Sequence, residues 1–190
     1  MESANSADRL VEAMGASLQE HGYRATSTTQ ILAETGISRG SLYFHFPGGK
    51  EALATTALLA SGGRVTAWIN SEFSQASDAV AAACQLIDGF AAGLSATNFR
   101  KGCPVALCAL EAGEQEPALS EAVRTVYADW QRAIEEGLSS HGVEAGAAAE
   151  IAQLALIQIE GALLLARSAR SLHPLNVAKT ALIRAIGGKP

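Results

Sequence analysis

Between Ser27 and Lys50 the sequence concentrates side chains that can hold phosphate groups and read the edges of DNA bases. Hydroxyl groups and a lysine suit phosphate oxygens, whereas an arginine can form paired hydrogen bonds with guanine. We predict that Arg39 reads a base, that small neighbours permit its close approach, and that the remaining residues contact phosphate. The predicted DNA-binding residues are Ser27, Thr28, Thr29, Ser38, Arg39, Gly40, Ser41, Tyr43, His45 and Lys50.

Two short helices joined by a tight turn must position these residues. Ser27 can cap the first helix, and Gln30, three positions later, can complete a capping box. Gly36 allows the positive φ of a sharp turn after that helix. Ser38 caps a second helix over residues 39–46, in which Leu42 and the phenylalanine four positions on face inward. This arrangement predicts a helix-turn-helix whose second helix lies in the DNA major groove.

The stretch GYRATSTTQILAETGISRGSLYFHF, followed by GGKEAL, resembles the N-terminal domain of TetR-type transcriptional repressors. Later motifs, Gly-Cys-Pro-Val at 102–105, Glu-Gly-Ala at 160–162 and His-Pro-Leu at 173–175, resemble the LmrA/YxaF-type subgroup. The resemblance implies a dimeric repressor that a small hydrophobic or planar aromatic effector, of flavonoid or antibiotic type, releases from its operator. It also implies control of a multidrug efflux pump or an oxidoreductase gene.

Apart from the resemblance, helical spacing of apolar residues and the lack of alternating strand patterns predict an all-α protein of about nine helices. We expect a three-helix DNA-binding domain at residues 1–52, joined by a long helix to a ligand-binding and dimerisation domain at 53–190. The pair Gly62-Gly63 inside the long helix suggests a bend or a close helix crossing. Polar residues interrupt the apolar run 151–166, which falls short of a membrane span.

The resemblance implies an effector pocket in the second domain. Its candidate residues are apolar or aromatic, with glutamines to orient the ligand: Phe90, Phe99, Cys103, Leu107, Leu110, Tyr127, Trp130, Gln131, Leu154 and Gln158. For each of them alone, plain core packing is the alternative role.

The helix around residues 151–166 is apolar almost all round and rich in small residues, so we expect it to pack against a second copy together with the last helix. The alternative is a helix buried entirely within a monomer. The predicted dimer interface is Ala155, Ile159, Ala162, Leu163, Ala166, Leu175, Ala178 and Leu182.

The charge of the predicted DNA-binding segment does not favour binding to DNA. Residues 1–50 hold four basic and five acidic side chains, and the whole chain has a net charge of −5. We therefore keep two alternatives open. One is a small-molecule-binding helical module without sequence-specific DNA binding, and the other is a repressor that senses oxidation through Cys103 or Cys108.

The four histidines share no metal-ligand spacing with carboxylates, and no phosphate-binding loop or nucleophile elbow is present. We predict that the protein is not an enzyme and uses no metal and no cofactor. Its expected partners are double-stranded operator DNA, a small hydrophobic effector and a second copy of itself, with no membrane. The N-terminus lacks the pattern of a signal peptide, so we expect a cytoplasmic location.

Overall fold

The computed structural model describes residues 6–187, and that part of the chain is entirely helical, with no strand. The predicted all-α architecture is therefore confirmed. The nine helices are α1 (Ser6–Ala25), α2 (Thr28–Thr35), α3 (Arg39–His45), α4 (Gly49–Gln75), α5 (Ala79–Ala96), α6 (Pro104–Glu111), α7 (Pro117–Ser140), α8 (Ala145–Ala169) and α9 (His173–Ala185).

The helices pack into two compact units. The first comprises the described residues up to Gly63 together with Cys103–Val126, and the second comprises Arg64–Gly102 and the described residues from Tyr127 onward. Both α4 and α7 contribute to each unit. The predicted functional boundary at residue 52 stays a prediction, because packing divides α4 farther along the chain and adds α6 to the first unit.

The core of the first unit forms around one face of α1. Leu10, Met14 and Leu18 follow one another at intervals of four residues, and each is fully buried. Ile31 of α2 and Leu42 of α3 are each 2 % exposed. Because α1 packs against both α2 and α3, this apolar stripe fixes the two short helices of the helix-turn-helix.

Two contacts tie α4 to α7 inside the first unit. A carboxylate oxygen of Glu51 accepts hydrogen bonds from the amides of Ala118, at 2.9 Å, and Leu119, at 3.4 Å. Farther along α4, a Cβ on Gly62 would lie 2.5 Å from a methyl carbon of Val126. The glycine is therefore required for a close helix crossing, as the sequence suggested.

The second unit brings α5, α8 and α9 together, since α9 packs against both of the others. Glycines again permit close approach of aromatic rings. A Cβ on Gly89 would lie 2.4 Å from the ring of Trp68, and one on Gly137 would lie 2.3 Å from the ring of Phe73. The rings therefore rest directly on the backbone of the neighbouring helices.

The structure corrects the predicted dimer surface. Every residue of that set is at most 8 % exposed within the single chain, so the small side chains of α8 and α9 pack inside the second unit. A face that is already covered in one chain cannot contact a second copy without rearrangement. The residues concerned are Ala155, Ile159, Ala162, Leu163, Ala166, Leu175, Ala178 and Leu182.

Two helices, Ala79–Ala96 and Ala145–Ala169, are long and apolar enough to cross a membrane by length and composition. The sequence had suggested that the apolar run within the second of these was too short, but the whole helix is longer than that run. The indication is weak, because core helices of soluble proteins meet the same criteria.

Candidate DNA interface

Side-chain caps set the ends of the two short helices. The Ser27 hydroxyl oxygen accepts a hydrogen bond from the Gln30 amide at 3.5 Å, and Ser38 caps α3 by accepting from the Ser41 amide at 3.1 Å. Gly36 takes the left-handed conformation between them, with φ 67°. The side chain of Gln30 does not complete a capping box, because it donates to Glu34 at 2.8 Å.

The predicted DNA-binding residues differ in their exposure. Arg39, Gly40 and Tyr43 of α3 are exposed, whereas Ser41 and His45 are half-buried. Of the residues at the start of α2 and before α3, Thr28 is half-buried, and the exposed ones are Ser27, Thr29 and Ser38.

Phe44, which was not among the predicted residues, occupies the centre of the outward face of α3. Each helical residue advances by about 100°, so Phe44 lies about 200° from the buried Leu42. Gly40, one turn earlier, lies on the same outward face. Phe44 is 81 % exposed, against 51 % for Tyr43. The helical period of the sequence already contained this signal.

His45 is held inside the first unit. Its Nε2 lies 2.7 Å from the hydroxyl oxygen of Ser6 at the start of α1. Its ring also meets the ring of Phe44 edge to face, with centroids 5.1 Å apart. His45 therefore joins α3 to α1 and supports its neighbour, rather than extending freely from the surface.

Lys50 also points inward, contrary to the extended orientation that a phosphate contact needs. Its amino nitrogen lies 3.4 Å from the backbone oxygen of Arg24 and 4.4 Å from the centre of the Tyr23 ring. Burial lowers the pKa of this amino group, and the carboxylates of Glu111 and Glu116 partly offset that effect. A phosphate contact would require the side chain to leave these partners.

The basic side chains of the predicted DNA-binding segment differ in whether they form hydrogen bonds within the protein. The guanidinium group of Arg9 donates to the backbone oxygen of Thr35, and that of Arg24 donates to the backbone oxygen of Glu111 at 3.1 Å. The guanidinium group of Arg39 makes no hydrogen bond or ion pair with any residue in the described range 6–187. Its positive charge is therefore exposed to solvent at the start of α3.

Comparison with known proteins agrees with this geometry. Residues 10–57, which hold α1 to α3 and the start of α4, match the family model of bacterial regulatory proteins of the TetR family. Residues 79–181 match the C-terminal domain model of LmrA/YxaF-like transcriptional regulators. The chain belongs to the TetR family. The predicted family resemblance is thereby confirmed, including its LmrA/YxaF-type subgroup.

Individual TetR-family proteins are similar along almost the whole chain. The HTH-type regulator Rv0196 of Mycobacterium tuberculosis is 34 % identical over 90 % of this chain and 88 % of its own. LmrA of Bacillus subtilis is 32 % identical over 92 % and 93 %. The regulator CifR, solved with a 26-base-pair operator duplex, superposes with a TM-score of 0.77 at 23 % identity, covering 100 % of both chains.

The protein is therefore a DNA-binding transcriptional regulator of a repressor family, as the helix-turn-helix pattern predicted. Its relatives at more than 30 % identity are HTH-type transcriptional regulators. The alternative of a helical module without sequence-specific DNA binding is not favoured, despite the acidic composition of the first 50 residues.

A close contact lies where α1 of this TetR-family head ends. Gly22 interrupts α1 with φ 79°. The Glu111 carboxylate at the end of α6 accepts a hydrogen bond from the Arg24 amide at 2.8 Å, and it would lie 2.9 Å from a Cβ on Gly22. The end of α1, just before Ser27 and α2, therefore donates a hydrogen bond to a residue 87 positions away in the sequence.

The predicted effector-pocket residues do not fall in one compact unit. Cys103, Leu107 and Leu110 belong to the first unit. Leu110 is 81 % exposed, so its side chain lines no enclosed site in this structure, which corrects that part of the prediction. The other seven belong to the second unit: Phe90, Phe99, Tyr127, Trp130, Gln131, Leu154 and Gln158.

Aromatic pairs organise part of the second-unit set. The rings of Tyr127 and Trp130 meet edge to face with centroids 5.7 Å apart, and Phe90 meets Trp68 in the same manner at 5.0 Å. Phe99 has a left-handed backbone, with φ 59°, and the guanidinium carbon of Arg170 lies 6.0 Å from its ring centre. Phe90, Phe99 and Tyr127 are half-buried, whereas Trp130 is buried and Arg170 is exposed.

The second unit also contains a small apolar cavity of about 20 Å³. Since a drug-sized ligand needs a few hundred Å³, this cavity is too small for the predicted effector. Its lining differs from the predicted pocket and consists of Phe73, Ala83, Leu86, Ile134, Leu138, Ile151, Ala155, Ile159, Leu182 and Ile186.

The cysteines give little support to redox sensing. Burial raises the pKa of the Cys108 thiol to about 12, so this thiol stays protonated at neutral pH. Because the thiolate is the reactive form, Cys108 is unsuited to rapid oxidation. Cys103 and Cys84 are half-buried. The redox-sensing alternative is not favoured.

Proposed function

We propose that this TetR-family regulator binds operator DNA as a homodimer, represses transcription and is released by a small hydrophobic effector. The observation that carries the DNA-binding part is the outward face of α3. At the edge of that face, one turn from the exposed Tyr43, the Arg39 guanidinium group is exposed and has no hydrogen-bond or ion-pair partner within residues 6–187. A guanidinium group that needs no rearrangement can form paired hydrogen bonds with a guanine edge.

The remaining predicted contacts take different roles in this proposal. The hydroxyl groups of Ser27, Thr28 and Thr29, with the exposed amides at the start of α2, hold a phosphate. Tyr43 contacts a second phosphate, whereas Ser38, Gly40 and Ser41 keep the approach to the groove open. His45 acts through its contact with α1, and Lys50 joins a phosphate after leaving its internal partners.

Fluorescence anisotropy on the DNA immediately upstream of the protein's own gene tests the proposal. A scrambled duplex of equal length and composition is the control. We expect sequence-selective binding, and Arg39→Ala should cost about 1–3 kcal/mol and relax one operator position. Equal binding to both duplexes, repeated with DNA selected from a random library, would contradict specific recognition.

The dimer surface of the proposal is the outer face of α8 and α9. Ile157, Leu164 and Leu165 of α8 are at least 60 % exposed, and Val177 of α9 is 53 % exposed. Gly161 is also exposed. It lies one helical turn after Ile157 and one turn before Leu164 and Leu165, and it permits close approach of a second helix. An exposed apolar surface of this kind indicates an interface, and a two-fold dimer buries it on both copies.

Light scattering with size-exclusion chromatography tests this dimer. Leu164→Glu places two like charges near the two-fold axis and should shift the protein to a monomer. Leu110→Glu is a matched control, because Leu110 is an equally apolar exposed residue of the first unit. A dimer that survives both Leu164→Glu and Ile157→Glu would exclude α8 as the interface.

The effector part of the proposal rests on the aromatic set of the second unit. A planar aromatic compound would contact Tyr127 and Trp130, with Gln131 or Gln158 orienting it. A ligand releases DNA only if it binds the DNA-incompetent form more tightly than the competent form. Because Trp130 is only 5 % exposed in this structure, we expect binding to open a site beside it.

A Trp68→Phe variant leaves Trp130 as the one tryptophan in the sequence. We expect planar aromatic compounds that release the DNA to quench Trp130 fluorescence at the same concentrations. Release of DNA without any change in that fluorescence would place the effector site elsewhere.

The location of the regulator follows from its target, and we propose that it acts in the cytoplasm.

A further inference from the structure

Phe44 is a large apolar side chain that the structure leaves exposed on a DNA-binding helix. In the described residues, exposed large hydrophobics occur in three settings: Tyr43 and Phe44 on α3, a group on α8 and α9, and the separate residues Leu59 and Leu110. The α8 and α9 group has a partner in the proposed dimer. Phe44, at 81 % exposure, lies outside that interface and on the helix that is proposed to enter the major groove.

We propose that Phe44 reads the 5-methyl group of a thymine in the major groove of the operator. This inference rests on the proposed DNA-binding function and adds a base-reading residue to it. Thymine is the base that presents an apolar group in the major groove, and apolar side chains recognise it by contact with that methyl. An A·T pair is therefore expected beside the pair that Arg39 reads.

The geometry of α3 places this ring where a groove floor would lie. Phe44 is at the centre of the face opposite Leu42, and Gly40, one turn before it, adds no side chain to that face. The helix can therefore approach closely enough for a ring to reach base edges. Arg39 and Tyr43, also one turn apart, flank this central line on one side.

The ring is also supported from behind. The rings of Phe44 and His45 meet edge to face at an interplanar angle of 78°. The His45 Nε2 in turn lies 2.7 Å from the hydroxyl oxygen of Ser6 in α1. This support lowers the conformational entropy that Phe44 loses on binding. An aromatic ring held in this way loses less freedom on binding than a flexible side chain would.

The test uses duplexes selected by the wild-type protein from a random library, with single thymines replaced by deoxyuridine. This replacement removes one methyl group and leaves the hydrogen-bonding edges intact. Loss of one buried methyl should weaken wild-type binding about fourfold for each half-site. Phe44→Ala should weaken binding to the thymine duplex and abolish the difference between thymine and deoxyuridine at that position.

Two protein controls sharpen the result. Phe44→Leu keeps an apolar contact and should retain part of the thymine preference. Leu110→Ala truncates a second hydrophobic residue of the same exposure, 81 %, on α6 and should leave the preference unchanged. Circular dichroism melting checks that each variant folds. We expect all of them to fold, because the side chains of Phe44 and Leu110 are exposed and contribute little to the core.

The outcomes separate this inference from the proposed function. If the wild-type protein binds its selected duplex specifically but Phe44→Ala keeps the full deoxyuridine effect, Phe44 does not read the methyl and the regulator assignment stands. Equal weakening on selected and scrambled duplexes would also overturn base reading by Phe44. If no sequence is selected at all, specific recognition fails and the inference fails with it.

Discussion

At the scale of single residues, Gly22 carries two separate requirements. Its φ of 79° lies in the left-handed region, and a Cβ there would lie 2.9 Å from both carboxylate oxygens of Glu111. A side chain at this position would strain the backbone and turn away the carboxylate that accepts from the Arg24 amide. The loop before α2 would then lose a hydrogen bond as well.

We expect Gly22→Ala to lower the free energy of unfolding by about 1–3 kcal/mol. Gly36→Ala, at φ 67° and ψ 16° with open space around it, measures the cost of a left-handed backbone alone, whereas Gly22, at ψ −177°, occupies a region that is nearly exclusive to glycine. Urea unfolding followed by far-UV circular dichroism measures both. The excess cost at Gly22 should shrink in a Glu111→Ala background, and an unchanged excess would show that Glu111 contributes nothing to it.

Residue patterns predicted the DNA-binding surface only in part. The helical period of α3 identifies Phe44 as outward. The prediction instead named Tyr43 and His45, because their side chains can form hydrogen bonds with phosphate. Lys50 turns inward to the backbone oxygen of Arg24, which lies 26 positions earlier in the sequence, and to the ring of Tyr23. Contacts of that range leave no local pattern that a reading of residues 27–50 could detect.

At the scale of helices, the caps act as pH-dependent stabilising groups. Asp78 caps α5 by accepting a hydrogen bond from the Ala81 amide at 2.7 Å, and this bond is the main cause that lowers the pKa of the Asp78 carboxyl. A carboxyl whose pKa is lower in the folded state adds stability above its unfolded pKa. That contribution is lost as the pH falls through the folded pKa.

Asp78→Asn should therefore reduce the sensitivity of the protein to acid. Asparagine keeps the cap acceptor but does not titrate, so the melting temperature should fall less between about pH 5 and about pH 3 than in the wild type. Asp78→Ala removes the cap and should be less stable at neutral pH than either. Parallel acid profiles for wild type and Asp78→Asn would show that the lowered pKa has no effect on stability.

Helix positions were easier to predict than helix faces. The range Pro117–Ser140 follows directly from its proline start and apolar spacing. The inner face of α8 was not predictable in the same way, because a helix that is apolar almost all round carries no stripe to mark its buried side. Small residues such as Ala155 and Ala162 suit close packing within a chain as well as between chains, and the structure uses them within.

At the scale of the whole molecule, an acidic regulator must bind an acidic polymer. The net charge is −5, so long-range attraction to DNA is weak and a few placed contacts must supply the affinity. In the described chain Arg9, Arg24 and Lys50 are engaged internally, whereas Arg39 is directed to solvent. The dimer doubles each such contact, which makes its symmetry part of DNA recognition.

This arrangement predicts a shallow salt dependence. Since each phosphate neutralised contributes about −0.9 to the slope of log K against log salt, two to four cations from a dimer give a slope of about −2 to −4. Lys50→Ala should flatten the slope more than Arg124→Ala, because Lys50 joins a phosphate in the proposed complex, whereas Arg124 is an exposed arginine of α7 already paired with Glu121. Anisotropy titrations between about 50 and 200 mM salt measure it. A slope of about −8 would mean that Arg9 and Arg24, in addition to Lys50, leave their internal partners on the operator, and the head would then rearrange as it binds.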